Sequence, residues 1–401
     1  MAAGPTLAVP ERPITLALFV SGLSGGGVPR VMLNLAQAIA RRGHRVDVVT
    51  PRPEGPLRAL FPGEARLVPL VGWPSRLPWV AGKRRRQVVA AIPALVRYLR
   101  RERPAALLAA DHWVNFSAVV ARSLAGVPTR VAVSQHIHLS RHAQARPIVR
   151  WLLPRLYPRA DAIVAVSRGV ADDLAVDAGI PRERITVIYN PVVTPEIGAL
   201  AEAPVEHPWL APGAPPVVLG AGRLVEQKDF PTLFRAFARV RAQRNVRLVV
   251  LGEGSRRADL ERQARELGVA DDVSLPGFVA NPYAHMARAG LFVLSSAWEG
   301  FGNVLVEALA CGCPVVSTDC PSGPAEILEG GAYGPLVPVG DDAALASAML
   351  ATLDTPPPAA RLQARAADFT VERAARSYLA LLERNPAGPA IGPYHLVPPV
   401  D

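Results

Sequence analysis

Two glutamates stand eight residues apart in the stretch "EGFGNVLVEALACGCPVVSTD", at Glu299 and Glu307. Between them lies Gly300-Phe301-Gly302-Asn303, followed by Val304 and an apolar run that reads as a helix. The backbone N–H groups of Gly302, Asn303 and Val304 would point out of that helix's first turn, where an anion is stabilised. The glycines let a ligand come close to the backbone. A carboxylate about one turn in, at Glu307, can accept hydrogen bonds from two adjacent hydroxyls, as on a ribose. Glu299, on the preceding loop, can do the same for a sugar ring. The plainer alternative is a capped helix with two solvated acids.

A second stretch, "GAGRLVEQKDF", carries Arg223 and Lys228 just past a glycine turn. Two cations five residues apart can clamp a diphosphate, Arg as a fork and Lys as a point charge. The alternative is ordinary surface charge, with Lys228 paired to Glu226 or Asp229.

Both stretches need strands to carry them. "ITLALFV", a glycine-rich loop "SGLSGGGVPR", the helix "VMLNLAQAIARRG" and "HRVDVVT" form a β–loop–α–β unit, the opening of a doubly wound sheet. Further strands are expected at "ALLAA", "TRVAVSQH" and "DAIVAVS". The strands are apolar runs rather than alternating ones, so the sheet is expected to be parallel and buried on both faces. A proline-rich stretch, 201–216, reads as a linker. Beyond it strands at "VVLGAGRL", "VRLVVLGEG", "VSLPGF", "LFVLSS" and "PVVSTD" alternate with helices. The fold class is α/β. Residues 14–200 and 217–385 form two Rossmann-like doubly wound domains, flanked by a disordered leader at 1–13 and a loose tail at 386–401. Each sheet binds ligands at the carboxyl ends of its strands, so two such domains can aim their sites at a shared central cleft.

Composition narrows the partners. The 401 residues suit two domains, and no run of 18 apolar residues lacks charge, so no membrane span is expected. No secretory signal is visible. Three clustered cysteines, Cys311, Cys313 and Cys320, suit a reducing cytoplasm rather than a disulfide framework. The net charge of +10 is unevenly spread: 27 Lys and Arg against 12 Asp and Glu up to residue 200 (+15), then 17 against 22 (−5). Two basic-apolar stretches lie in the first half. One holds Trp79 and Lys83-Arg84-Arg85-Arg86; the other mixes Arg146, Arg150 and Arg155 with Trp151. They suit either an anionic membrane surface or a solvated helix face. No aromatic stacking platform accompanies them, so nucleic acid is not an expected partner.

Taken together, "GRLVEQKDF", "VLGEGSRR", "LPGF", "SSAWEGFGNVLVEALACGCPVVSTD" and "GPAEIL" follow one another as they do in retaining glycosyltransferases. The chain resembles a GT-B enzyme of glycosyltransferase family 4, with Glu299 and Glu307 as the Glu-x7-Glu pair. The resemblance covers nearly the whole chain and is strongest over 217–340. It implies that Arg223 and Lys228 hold the donor diphosphate and Glu307 the nucleotide ribose. Glu299 and the backbone of Gly300, Phe301, Gly302, Asn303 and Val304 would hold the donor sugar and phosphate. Gly277, Phe278 and Val279 would border the base. Gly25, Gly26 and Gly27 would close over the diphosphate, and His136 would lie beside the reacting sugar. Such enzymes use no metal or other cofactor, and the cleft segments show no Asp-x-Asp. The expected activity is metal-independent retaining transfer of a hexose or N-acetylhexosamine. The donor would be a nucleoside-diphosphate sugar, UDP-linked by preference. The acceptor would be a lipid-linked or growing surface glycan at the inner face of the membrane.

Other readings fit less well. His136, His138 and His142 invite zinc, but no further ligand follows at metal-site spacing. "SGLSGGG" lacks the G-x-G-x-x-G spacing, and the second strand closes on Thr50 rather than an acid, which disfavours a dehydrogenase. A sugar-nucleotide 2-epimerase would share the architecture but need acids and bases at C2. A non-catalytic sugar-nucleotide-binding protein would not need Arg223, Lys228, Glu299 and Glu307 together.

Overall fold

A computed structural model of the chain describes residues 13–24, 26–72, 80, 83–140 and 147–383. Residues 1–12 of the expected leader and the tail at 386–401 lie outside these residues, as do Gly25, Trp79, His142 and Arg146.

Thirteen strands fall into two wholly parallel sheets. The first holds β1 (Thr15–Phe19), β2 (Arg45–Thr50), β3 (Arg66–Pro69), β4 (Ala106–Ala110), β5 (Arg130–Gln135), β6 (Ala162–Ala165) and β7 (Ile185–Val187), in the order 3-2-1-4-5-6-7. The second holds β8 (Val217–Ala221), β9 (Arg247–Leu251), β10 (Val273–Gly277), β11 (Leu291–Leu294), β12 (Val315–Thr318) and β13 (Leu336–Val337), in the order 10-9-8-11-12-13. The order reverses between β1 and β4 in one sheet and between β8 and β11 in the other. Each reversal opens a crevice at the strands' carboxyl ends.

The apolar runs bury both faces of each strand. In β1, Leu16 and Leu18 meet the helix Gly27–Ala40 through Met32, Leu35 and Ile39. Ala17 and Phe19 face the opposite way, toward Leu95 and Leu99 of the helix Ile92–Glu102 and Val114 and Ala118 of His112–Ala125. The second sheet is built alike: Val218, Leu248 and Val293 pack on Leu233, Phe234 and Phe237 of the helix Phe230–Arg241. Three short strands had no periodic signal in the sequence. β7 has three residues and β13 two, and β3 is a partly exposed edge strand. Pro29 falls in the first turn of Gly27–Ala40, where its missing N–H costs nothing, so that helix starts four residues before the expected Val31.

The last helix, Val371–Glu383, follows the second sheet in sequence but packs on the first. Val371, Ala374, Ala375, Tyr378, Leu379 and Leu382 join the cluster of Leu16, Leu18, Ala132 and Val164. The chain therefore crosses between the sheets twice. Val192 and Val193 donate to the Phe369 carbonyl and Val371 donates to that of Val193, so the two crossings run side by side. Tyr189, Phe301 and Phe369 form one aromatic group at that crossing, with ring centroids 5.4–5.5 Å apart; Tyr189 and Phe301 stack and Phe369 meets both edge-on.

Leu379→Ala should remove about 2–5 kcal/mol, the usual cost of emptying a buried leucine site. Ala380, on the helix's exposed side, should tolerate serine within about 0.5 kcal/mol. Denaturant melts of the two variants check that the helix belongs to the first sheet's core; equal, small losses would contradict it.

Candidate active site

The loops after β8 and β11 flank the second sheet's reversal, and they carry Arg223, Lys228 and Glu299. They are tied to each other: Ala297 donates to the Gln227 carbonyl at 2.8 Å, Gln227 Nε2 to the Trp298 carbonyl at 3.0 Å and Ser295 Oγ to the Lys228 carbonyl at 2.8 Å. This lattice brings Lys228 Nζ to 2.5 Å from Glu299 Oε1, and Ser296 Oγ donates to the same oxygen at 2.7 Å. Lys228 thus pairs with neither Glu226 nor Asp229 but with the other residue of the site. Two of its three ammonium hydrogens remain for a ligand. Glu299 is 7% exposed. Arg223 is exposed, and its side chain has no ion-pair or hydrogen-bond partner among the described residues.

Gly302 takes a left-handed conformation (φ 95°) that lets the chain turn from this loop into the helix Asn303–Ala310. Asn303 Oδ1 accepts from Asn190 Nδ2 at 2.8 Å, and Gly27 lies against the Asn303 amide. Val304 is half-buried. Phe301 turns its ring into the aromatic group at the crossing, so only its backbone remains near the cleft. Gly300 lies hard against the first domain. A Cβ there would sit 2.0 Å from the His136 carbonyl oxygen, while Ser167 Oγ donates to the Gly300 carbonyl at 2.8 Å. The two strand edges therefore face each other in contact.

Glu307 is half-buried beneath this turn. Burial pushes its carboxyl above the usual range, while Arg30, Lys228 and a hydrogen bond with Tyr283 pull the other way. Arg30 reaches it from the first domain, donating to the Tyr283 hydroxyl at 2.8 Å. Gly277 ends β10 beside Glu253; Phe278 projects 79% exposed and Val279 is half-buried. Gly26 is the N-cap of the helix that carries Arg30.

From the first domain, His136 enters at the end of β5. It is 8% exposed, Nε2 lies 3.0 Å from Ser134 Oγ, and Nδ1 is buried with no partner. Burial holds its pKa down to about 4, partly offset by Asp111, so the ring is neutral near pH 7. Asp111 closes β4 at φ 91°, a strained backbone for a residue with a side chain. It lies 3.1 Å from His112 Nδ1 and 3.8 Å from Arg84. Burial alone would raise its pKa, but His112, Arg84 and His136 together hold it low.

His138 takes no part: it pairs with Asp173 at 3.0 Å. Among the described residues no three His, Cys, Asp or Glu side chains gather as a metal would require. Sequence reasoning missed Arg30, Asp111, Asn190, Tyr283 and Ser296. Asp111 did leave a signal, an acid closing the apolar strand "ALLAA". Arg30 also left one, in the first turn after the glycine loop. Tyr283 and Asn190 reach the site only through tertiary packing.

Solved structures share this architecture along the chain. Anabaena HepE in complex with UDP-glucose superposes with a TM-score of 0.72 at 22% identity, over 92% of this chain and 99% of that one. The fold is GT-B. The family model described as Glycosyltransferase Family 4 matches residues 25–195, and that described as Glycosyl transferases group 1 matches 215–355. The 2-deoxystreptamine glucosyltransferase of Streptomyces kanamyceticus is 30% identical over 316 residues, 71% of this chain and 79% of that enzyme. The chain belongs to glycosyltransferase family 4. It is also 33% identical over 234 residues, 57% of this chain, to the N-acetylgalactosamine-N,N'-diacetylbacillosaminyl-diphospho-undecaprenol 4-alpha-N-acetylgalactosaminyltransferase of Campylobacter jejuni. That match spans only 61% of the Campylobacter enzyme's length.

His136 makes stability depend on pH. In the unfolded chain it takes up a proton near pH 6.5, whereas the folded protein resists protonation until about 4. The unfolded state therefore binds more protons in that window, and stability falls as pH drops from about 6.5 toward 4. His136→Gln should remove about 2 kcal/mol of the loss that wild type suffers between pH 7.5 and 5. Denaturant melts of both proteins at the two pH values measure it; parallel losses would show that the ring is already charged when folded.

Proposed function

We propose that this protein transfers a sugar, with retention, from a nucleoside-diphosphate sugar to a lipid-linked or surface glycan. The observation that carries the reading is the Lys228–Glu299 pair, with the exposed Arg223 on the loop after β8 and His136 from the first domain. Bond breaking at the anomeric carbon sends its electron pair to the diphosphate. Arg223, the spare hydrogens of Lys228 and the N–H groups at Gly302 to Val304 meet that charge. The acceptor oxygen attacks the face the diphosphate leaves, and its proton passes to the departing phosphate oxygen. Glu307 accepts from the ribose hydroxyls, Glu299 from the sugar, and Gly277–Val279 borders the base. The cations do the work a metal would do elsewhere, so no metal is needed. The UDP-glucose bound by HepE supports a uridine donor. The diphospho-undecaprenol in the name of the Campylobacter relative supports a lipid-linked acceptor.

A thermal-shift panel of sugar nucleotides should select one donor, since a ligand at a hundred times its Kd adds about 2.7 kcal/mol. With that donor, Arg223→Ala should cut transfer by about a hundredfold or more without loss of stability, because Arg223 is exposed. Lys228→Ala should lose at least as much activity, and also some stability because Glu299 is left unpaired. Wild type should work in excess EDTA. Near-normal turnover in Arg223→Ala, or activity silenced by chelator and restored by Mn²⁺, would remove the diphosphate clamp from the mechanism.

For the acceptor side, the reading places the first domain on an anionic membrane surface. In the run Lys83–Arg86, two of the four charges already have partners within the protein. Arg84 turns into the cleft toward Ser21 and Asp111, and Arg85 lies over the Trp113 ring at 5.0 Å. The helix Pro147–Leu156 fits better: Ile148 and Trp151 are exposed, with Arg150 and Arg155 alongside and Arg155 over the Trp151 ring at 4.3 Å. Each basic residue near an anionic surface contributes about 1 kcal/mol, an effect that fades with salt. Ile148→Glu, Trp151→Glu and Arg155→Glu together should release the protein from phosphatidylglycerol vesicles at low salt, with neutral vesicles as the control. Wild type that ignores anionic vesicles would move the acceptor to a soluble glycan or small molecule.

A further inference from the structure

We infer that Tyr378, from the helix that crosses back to the first sheet, acts through Ser134 to fix His136 as its Nδ1–H tautomer and so aims a hydrogen-bond donor at the donor sugar. This rests on the reading that His136 meets the sugar. Ser134 and His136 lie on one face at the end of β5, two residues apart, and that face is the one the helix Val371–Glu383 covers. Tyr378 OH lies 3.3 Å from Ser134 Oγ, and Ser134 Oγ lies 3.0 Å from His136 Nε2. Ser134 is fully buried and Tyr378 is 2% exposed.

Satisfying the hydrogens sets the direction of this chain of bonds. A buried hydroxyl hydrogen without an acceptor is costly. Ser134 Oγ is the one acceptor within reach of Tyr378 OH among the described residues, so the phenol donates to the serine. The serine's own hydrogen must then go to His136 Nε2. Were Nε2 the protonated nitrogen, it would donate to Ser134 and leave the serine's hydrogen without an acceptor. Nε2 therefore accepts, and Nδ1 carries the proton. Tyr378, its pKa pushed up to about 12 by burial, keeps its proton throughout.

Nδ1 is the atom that lacks a protein partner. The ring is more than nine-tenths buried, so an orphaned Nδ1–H calls for a ligand acceptor. A sugar hydroxyl or ring oxygen supplies the missing acceptor. Tyr378 and Ser134 touch no substrate; they are positioning residues.

The test is ¹⁵N NMR of histidine-labelled protein, which separates Nδ1–H from Nε2–H rings without any substrate. Turnover is followed with the sugar nucleotide chosen by the thermal-shift panel, read as UDP or other nucleoside diphosphate released. Wild-type His136 should be Nδ1–H. Ser134→Ala should move it toward Nε2–H, the form a free imidazole prefers. Ser134→Ala and Tyr378→Phe should each lower kcat about tenfold with donor KM within twofold, as a misaimed donor does. The double variant should be no worse than the worse single, because both act through one chain of bonds. An Nε2–H ring in wild type, or wild-type kcat in both single variants while His136→Ala is inactive, overturns the relay alone. Unchanged kcat in His136→Ala overturns the reading of His136 and the relay with it.

Discussion

The ion pair between Lys228 and Glu299 is the constraint around which the second domain's site is arranged. Its partners are 71 residues apart and come from different loops. Both are largely buried, with side-chain exposures of 14% and 8%. Removing one partner of such a pair leaves an uncompensated charge, at a cost of about 3–5 kcal/mol. The loops that carry them must therefore stay in register. They do so through Ser295, Gln227 and Ala297, which tie loop to loop through the backbone. β8 and β11 are adjacent only because the strand order reverses there, so the sheet topology makes the pair possible.

The same logic explains the contact between domains. Gly300 follows the pair by one residue, and its missing side chain is what lets His136's carbonyl approach. Around that point Asn190 meets Asn303, Ser167 meets the Gly300 carbonyl, and the backbone N–H groups of Arg168 and Gly169 donate to Glu326. These are short polar bonds rather than a large apolar seam. Such contacts are individually worth about 1 kcal/mol, so the cleft can open for a ligand without disturbing either core. The apolar continuity lies at the crossing instead, where Tyr189, Phe301 and Phe369 form one aromatic group.

Much of this was legible in the sequence, and unevenly so. Long apolar runs announced ten of the strands, because a parallel strand buried on both faces has no polar positions to confuse it. The edge strands β3, β7 and β13 were not legible, since two to four residues carry no period. In the candidate site, Arg223, Lys228, Glu299 and Glu307 stood out in the sequence because glycine turns after strands mark where a backbone can meet a ligand. That Lys228 would choose Glu299 over the adjacent Glu226 or Asp229 was not readable, because spacing along the chain says nothing about two loops meeting at a strand reversal. In the basic run Lys83–Arg86, likewise, a count of arginines does not tell which have partners within the protein, as Arg84 does with Ser21.

The last helix shows how far such tertiary effects reach. By sequence it is an amphipathic segment adjoining the second domain. Its apolar face, however, carries Tyr378, whose hydroxyl needs an acceptor that an apolar sheet face seldom offers. Ser134 supplies one at the end of β5, where the first sheet gives way to the cleft. Val371, Ala374 and Ala375 before the tyrosine and Leu379 and Leu382 after it bury against the sheet and hold the helix's register. A shift of one helical residue would rotate the hydroxyl by about 100° and break the bond. The helix that closes the first domain's core thus also sets the partner of a fully buried serine, and His136 lies one hydrogen bond beyond it.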